Sequence, residues 1–168
     1  MLIRAEERSD WAAVHAVNVS AFQTPAEANL VDAQRAQAEP FVTLIAEDDD
    51  AIVGQIMFSP VSLSGHPALR LMGLAPIAVA PEYQRKGIGS ALVRAGLERC
   101  RQLGFGAVVV LGHPAYYPRF GFSSSTRFDI GCEYDVPEGV FMVAELQAGY
   151  LRRASGKIKY HAAFSAVS

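Results

Sequence analysis

The chain has 168 residues, 51% of them hydrophobic and 19% charged, with 15 Lys+Arg against 17 Asp+Glu. That length suits one domain over residues 1–168 with a sizeable core of its own, and the composition excludes a disordered chain. A formal net charge of −2 argues against generic nucleic-acid binding, which calls for a basic stripe or domain.

Leu2-Ile3-Arg4 reads as a short strand, and the acidic Glu6 and Glu7 break the basic-then-apolar order of a signal peptide. Ser9 or Asp10 can cap a helix in which Trp11, Val14, His15, Val17 and Phe22 recur near helical spacing. Pro25 ends that helix and starts another, which carries Leu30 and Val31 towards Ala38. Past Pro40, the apolar and partly β-branched stretch 41–46 favours a strand. Glu47-Asp48-Asp49-Asp50 reads as a solvated turn, because nothing around it has calcium-loop spacing. It leads into a second strand at 51–58, giving an antiparallel hairpin.

Residues 59–70 hold Pro60, Gly65 and Pro67 and read as a loop. Residues 71–79 form a buried strand with one anomaly, Pro76, which cannot donate to a ladder and suggests an edge, a bulge or a splayed position. Beyond Pro81, the residues Ile88, Ala91, Leu92, Ala95, Gly96, Cys100 and Leu103 mark one face of a long helix that Gly104 and Gly106 stop. The run 107–111 is continuous, apolar and β-branched, so it is a strand. The strand-helix-strand order implies a parallel crossover with a ligand crevice near the strand carboxyl ends. Farther on, 128–130, 140–146 and 158–164 read as more strand.

Cys100 and Cys132 form no Cys-x-x-Cys pair and fit a reducing compartment. His15, His66, His113 and His161 lack zinc-ligand spacing, and no apolar run approaches the roughly 18 residues of a membrane span. The expectation is a cytoplasmic α+β domain with a mixed sheet, no metal, no membrane and no nucleic-acid partner.

The informative stretch is Gln84-Arg85-Lys86-Gly87-Ile88-Gly89-Ser90, between a strand and a helix start. Glycines let backbone approach a ligand closely, and the first amides of a helix have no internal partners. With the helix dipole they make an anion cradle, which Arg85 and Lys86 can reinforce. Two nucleotide motifs fail here. Leu92 stands at the third glycine position of the dinucleotide pattern, and Lys86-Gly87 reverses the Gly-Lys of the mononucleotide loop.

Gln84-Arg85-Lys86-Gly87-Ile88-Gly89 resembles the Gln/Arg-x-x-Gly-x-Gly/Ala signature of the Gcn5-related N-acetyltransferase (GNAT) superfamily. Residues 74–81 look like the strand before that signature. Tyr116-Tyr117-Pro118-Arg119-Phe120-Gly121-Phe122 looks like the later Tyr-x-x-x-Gly-Phe segment. Ile3-Arg4, Asp10, Ala21-Phe22, Leu30-Val31-Asp32, the run 112–117 and the closing 157–164 resemble a bacterial branch of predicted acetyltransferases. The resemblance implies an α+β (α/β-like) fold with a mixed, mostly antiparallel central sheet, splayed parallel strands and flanking helices. It also implies acetyl-CoA in a cleft between the strands at 71–79 and 107–111. Amides near Ile77, Ala78 and Val79 would take the thioester and pantetheine, and amides from Arg85 to Ser90, within the Gln84 signature, the pyrophosphate.

Acetyl transfer needs a neutral amine, a stabilised carbonyl oxygen and a proton for the departing thiolate. Tyr117, five residues before Phe122, matches the tyrosine often used in the superfamily as general acid, with Tyr116 as its rival and aromatic packing as the plainer role. His113, after the strand end, suits proton removal from an ammonium or simply caps the next helix. Water, Glu27 and Glu145 are the other routes for that proton. Cys100 falls on the apolar helix face, and Cys132 has no histidine beside it. Direct attack by the acceptor amine is therefore preferred over an acyl-enzyme. The acceptor, of a small molecule or of a peptide or protein, is expected near residues 11–38, Phe22, His66 and Ser123-Ser124-Ser125. Its identity stays open, as does a homodimer. A CoA-binding regulatory or sensor domain with little catalysis is the alternative, and an unrelated nucleotide-phosphate binder is a third reading.

Overall fold

The acidic run at 47–50 closes a hairpin. In the computed structural model, which describes residues 1–37, 40–160 and 164, strands β2 (Val42–Asp48) and β3 (Ala51–Leu63) pair antiparallel. Asp49 and Asp50 turn the chain at φ +48° and +64°, a left-handed pair that short polar side chains tolerate and that matches strand twist. The register skips Val53 between Gly54 and Ile52. The carbonyl of Val53 accepts instead from the Ala80 amide at 2.8 Å.

The described residues form two compact units: Met1–Ser59 and Ala75–Gly96 make the first, Pro60–Leu74 and residues 97–160 the second. In the first, β1 (Leu2–Ala5) pairs antiparallel with β2, and β3 neighbours β4 (Leu71–Val79), whose second half belongs here. Helices α1 (Trp11–Phe22) and α2 (Ala26–Gln37) cover one sheet face, where Val14, Val31, Ile45 and Met57 form a buried cluster. A polar seam crosses this core: Asn18 Nδ2 donates to Gln55 Oε1 at 3.1 Å, and Gln55 Nε2 donates to Thr43 Oγ1 at 3.1 Å. Asp10 stands at the N-cap of α1 without capping it. Its carboxylate accepts from the Glu7 amide and from Arg4, and the Arg4 guanidinium holds it below the usual carboxylate range. The Arg35 guanidinium pairs with Glu6 in a buried position and lies 4.8 Å from the Trp11 ring centre.

The other sheet face meets α3 (Ile88–Gln102), whose residues up to Gly96 belong to this unit. Alternation along β3 points Gly54 and Phe58 the same way, towards Leu92 and Gly96. A Cβ on Gly96 would sit 2.2 Å from the Phe58 ring. Gly96→Ala is therefore expected to destabilise the fold by about 1–3 kcal/mol through overpacking, read as a lower urea midpoint with an unchanged m-value. A midpoint equal to the parent's would show that Phe58 has room to move.

In the second unit β4 pairs parallel with β5 (Ala107–Leu111), from Leu71↔Ala107 to Gly73↔Val109. β6 (Ser123–Ser124) and β5 both pair antiparallel with β8 (Phe141–Glu145). β7 (Ile130–Cys132) runs parallel to β9 (Gly156–Lys159), which also pairs antiparallel with Ser62 and Leu63 of β3. The sheet is thus mixed and mostly antiparallel, as expected.

Four expectations change. Residues 59–63 are strand, so the loop starts at Ser64. Pro60 is tolerated because the β2 ladder ends at Phe58 and the β9 ladder begins at Ser62. Phe128 closes a 3₁₀ turn, Ser125–Phe128, and Asp129 at φ +56° breaks the chain before β7. Leu103 lies beyond the end of α3 and is 38% exposed. In the stretch expected as a closing strand, β9 covers 156–159, while His161, Ala162 and Ala163 lie outside the described residues, as does Ala38. Among the described residues no helix is long and apolar enough to cross a membrane, and no group of His, Cys, Asp or Glu could hold a metal ion.

Candidate functional site

The first unit carries the strand-to-helix turn. β4 ends at Val79, a 3₁₀ turn covers Pro81–Tyr83, and α3 starts at Ile88. The Gln84 side chain donates back to the Val79 carbonyl at 2.9 Å, pinning the turn to the strand. Arg85 and Gly87 then adopt φ +63° and +84°, with Lys86 between them. Left-handed residues in such a loop turn successive amides inward, a concavity suited to anions. The first helical bond runs from the Ala91 amide to the Gly87 carbonyl at 3.0 Å, so the amides of Ile88 and Gly89 precede any helical acceptor. A Cβ placed on Gly87 meets nothing within 4 Å, which leaves open space above the turn. Ile88 is buried, with a side-chain methyl 3.3 Å from the Cβ position of Gly54. Side chains that anchor the loop thus point inward, while Arg85 and Lys86 stay exposed, Lys86 Nζ lying 5.5 Å from the Tyr83 ring centre. The donor set fits a pyrophosphate: backbone amides, a helix N-terminus and two exposed cations.

Upstream in β4, Ala80 donates to Val53, so strand alternation turns Ala78 the same way and Ile77 and Val79 away from β3. Ala78 is buried, whereas Ile77 and Val79 are half-buried. Pro76 follows a cis peptide bond, and the Ala75 carbonyl accepts from Gln34 Nε2 at 3.0 Å. Gln34, fully buried on α2, carried no signal in the sequence, since nothing local to it indicates a partner 41 residues away.

The second unit carries Tyr117 and His113. Tyr117 is 7% exposed and opens a 3₁₀ turn, Tyr117–Phe120. Its ring meets Tyr116, Phe120 and Phe122 edge-on, with centres 5.1, 6.3 and 5.6 Å away. It also lies over Gly112, where a Cβ would be 2.2 Å from the ring, so the glycine that follows β5 is there to admit it. Burial, with a smaller contribution from Tyr116, pushes the Tyr117 phenol up to about 12. Tyr116 is half-buried, with the Arg119 guanidinium 4.6 Å from its ring centre.

His113 caps this turn. Its Nδ1 accepts from the Ala115 amide at 3.3 Å, and its carbonyl accepts from the Tyr116 and Tyr117 amides. A neutral ring with Nδ1 accepting carries its proton on Nε2, so taking up a second proton would break the cap. His113→Asn keeps an acceptor two residues before the Ala115 amide, and turnover within a few-fold of the parent is expected. A fall in kcat of about a hundredfold with unchanged thermal stability would instead make His113 the base. Of the two other candidate bases, Glu145 Oε2 accepts from the Leu151 amide at 2.8 Å, and Glu27 accepts from Thr24 Oγ1 at 3.1 Å. His66 Nε2 accepts from the Ser155 amide. Cys100 is fully buried and its thiol is pushed up to about 12 by desolvation. Cys132 is half-buried and also raised, again by desolvation first. Neither cysteine has the lowered value of an activated nucleophile.

Residues 7–122 match the profile of the acetyltransferase (GNAT) family. The chain is 36% identical over 166 residues to a protein from Escherichia coli K12 described as the uncharacterized N-acetyltransferase YhbS, covering 98% of this chain and 99% of that protein. A crystal structure of Escherichia coli YhbS in complex with CoA superposes with a TM-score of 0.91 at 35% identity, over 98% of this chain and 91% of that one. A GNAT family acetyltransferase from Brucella melitensis in complex with acetyl-CoA superposes at 0.79 with 33% identity, over 97% of both chains.

Proposed function

This chain belongs to the acetyltransferase (GNAT) family, and from that premise we propose that it moves an acetyl group from acetyl-CoA directly to an amine of a small molecule, peptide or protein. It is an acyltransferase, with acetyl-CoA as co-substrate. The observation that carries the reading is the open turn at Arg85-Lys86-Gly87, whose inward amides and helix start suit a pyrophosphate. Bound there, acetyl-CoA supplies an activated thioester.

This chain's residues then have three tasks. The amides of Gly87, Ile88 and Gly89, with Ser90 in the same helical turn, hold the phosphates, and Arg85 and Lys86 add charge from the rim. The amides of Ile77 and Val79 are the polar groups for the thioester oxygen and pantetheine, while Ala78 keeps the strand in register and Gln84 fixes the turn. Tyr117 donates a proton to the departing sulfur. The amine nitrogen attacks the carbonyl carbon, the carbon–sulfur bond breaks, the nitrogen loses a proton to water, and free thiol and amide leave. With the His113 Nδ1 engaged by the Ala115 amide, water is the simplest carrier of that proton.

The reading is tested by mixing the protein with acetyl-CoA and a broad panel of primary amines while following free thiol. Release that depends on the amine is expected. CoA binding with no amine-dependent release across the panel would favour a sensor. Thermal protection by ATP or NAD but not by CoA would favour an unrelated nucleotide binder.

A further inference from the structure

We propose that a groove of about 540 Å³ in the second unit, lined by Arg127, Arg152 and Arg153, binds the phosphate monoester of a small organic molecule. The site goes beyond acetyl transfer and does not depend on it. Its walls are the 3₁₀ turn Ser125–Phe128 and the turn that leads from β8 to β9. Both walls are tied to strands: β6 pairs Ser123 with Val143, β7 pairs Ile130 with Gly156, and the Gly156 amide donates to the Asp129 carbonyl. The groove is therefore preformed, and its size is that of a small-molecule site.

Three guanidiniums line it, and among the described residues none of the three has a carboxylate within ion-pair distance. Arg4, Arg35 and Arg101 all do. Two carboxylates, Asp129 and Glu145, stand in the groove against the three cations, and Glu145 also accepts from the Leu151 amide. Arginine stays charged at any working pH, so the three cations outnumber the two carboxylates and the groove keeps a surplus of positive charge that a bound anion can offset. Arg152 lies across Gly149, with its Nη2 3.3 Å from that residue's Cβ position. Arg153 stands at φ +65°, a conformation that non-glycine residues rarely adopt. A single carboxylate needs one guanidinium fork, whereas a phosphate monoester offers two charges and three oxygens, enough for several. Thr126, whose hydroxyl lies 3.0 Å from Ser124 Oγ, lines the same wall, and Phe128 and Leu151 supply an apolar side for the organic part. Glu145 pairs with Ala107 at the start of β5, while His113 and Tyr117 follow its end at Leu111. Four strand steps of about 3.3 Å, roughly 13 Å in all, separate the groove from the aromatic turn.

The test uses isotope-labelled protein saturated with CoA, so that the phosphate-binding turn is filled, with amide NMR shifts followed at constant ionic strength. Glucose 6-phosphate and inorganic phosphate are titrated in, with gluconate as the carboxylate arm. The expected result is saturable shifts at 126–129 and 149–154 for both phosphates, and affinity for gluconate weaker by about tenfold or more. Arg127→Gln combined with Arg153→Gln should weaken glucose 6-phosphate by about tenfold or more while thermal stability and CoA affinity hold. Shifts confined to 84–90, no saturation up to the order of 10 mM, gluconate binding as tightly, or equal affinity in parent and double variant would each overturn the site.

Discussion

Replacing Gly87 with Glu is expected to lower CoA affinity by a hundredfold or more, roughly 2.8 kcal/mol, while the protein stays folded. Two effects add. The backbone at φ +84° strains any residue with a Cβ, at a cost of about 1–2 kcal/mol. The larger effect is electrostatic. The space above Gly87 is open, so the new carboxylate can stand where the phosphates belong, and two unit charges about 4 Å apart repel by about 4 kcal/mol at an effective dielectric of 20. Gly87→Ala separates the two contributions, because it carries the strain alone and should cost about tenfold. Calorimetric titration of CoA into each variant reads the difference, with thermal melts to show that folding survives. Affinity of Gly87→Glu within a few-fold of the parent would remove the turn at 84–90 from the cofactor site.

Tyr117→Phe is expected to reduce kcat by about a hundredfold or more, in the range for loss of a positioned general acid, with the KM for acetyl-CoA nearly unchanged. The variant keeps the ring that packs on Gly112, Phe120 and Phe122, so thermal stability should hold and the lost rate can be assigned to the hydroxyl. Because burial pushes the phenol up to about 12, it keeps its proton throughout the range in which the amine becomes free. The rise of rate with pH should therefore follow the amine, with no descending limb from Tyr117 below about pH 10. If Tyr116→Phe shows the loss instead, the acid is its neighbour.

Much of the frame could be read locally. The hairpin, β4, α3 and β5 were legible because each has a strong period or a continuous apolar run bounded by turn residues. What failed locally depends on distant partners. Pro60 disguises strand as loop until its neighbours are known to change from β2 to β9. Asp10 reads as a helix cap until Arg4 and the Glu7 amide claim its carboxylate. Phe128 and Ile130 have strand character, but Asp129 between them turns the chain. At the site, glycine spacing and the basic pair revealed the turn. The division of labour did not show, because Gln84 folds back and Ile88 points inward only against Val79 and Gly54. His113 was legible as either a base or a cap, and only the Ala115 amide on its Nδ1 shows the cap.

The most direct test follows every acetyl group. Isotope-labelled acetyl-CoA is mixed with the protein, with and without an accepted amine, and the label is located by mass spectrometry. Direct transfer predicts label on the amine in amounts equal to the thiol released, and none on the protein at any time. Label on Cys100 or Cys132 before amine is added, or thiol release with no acetylated amine, would contradict it.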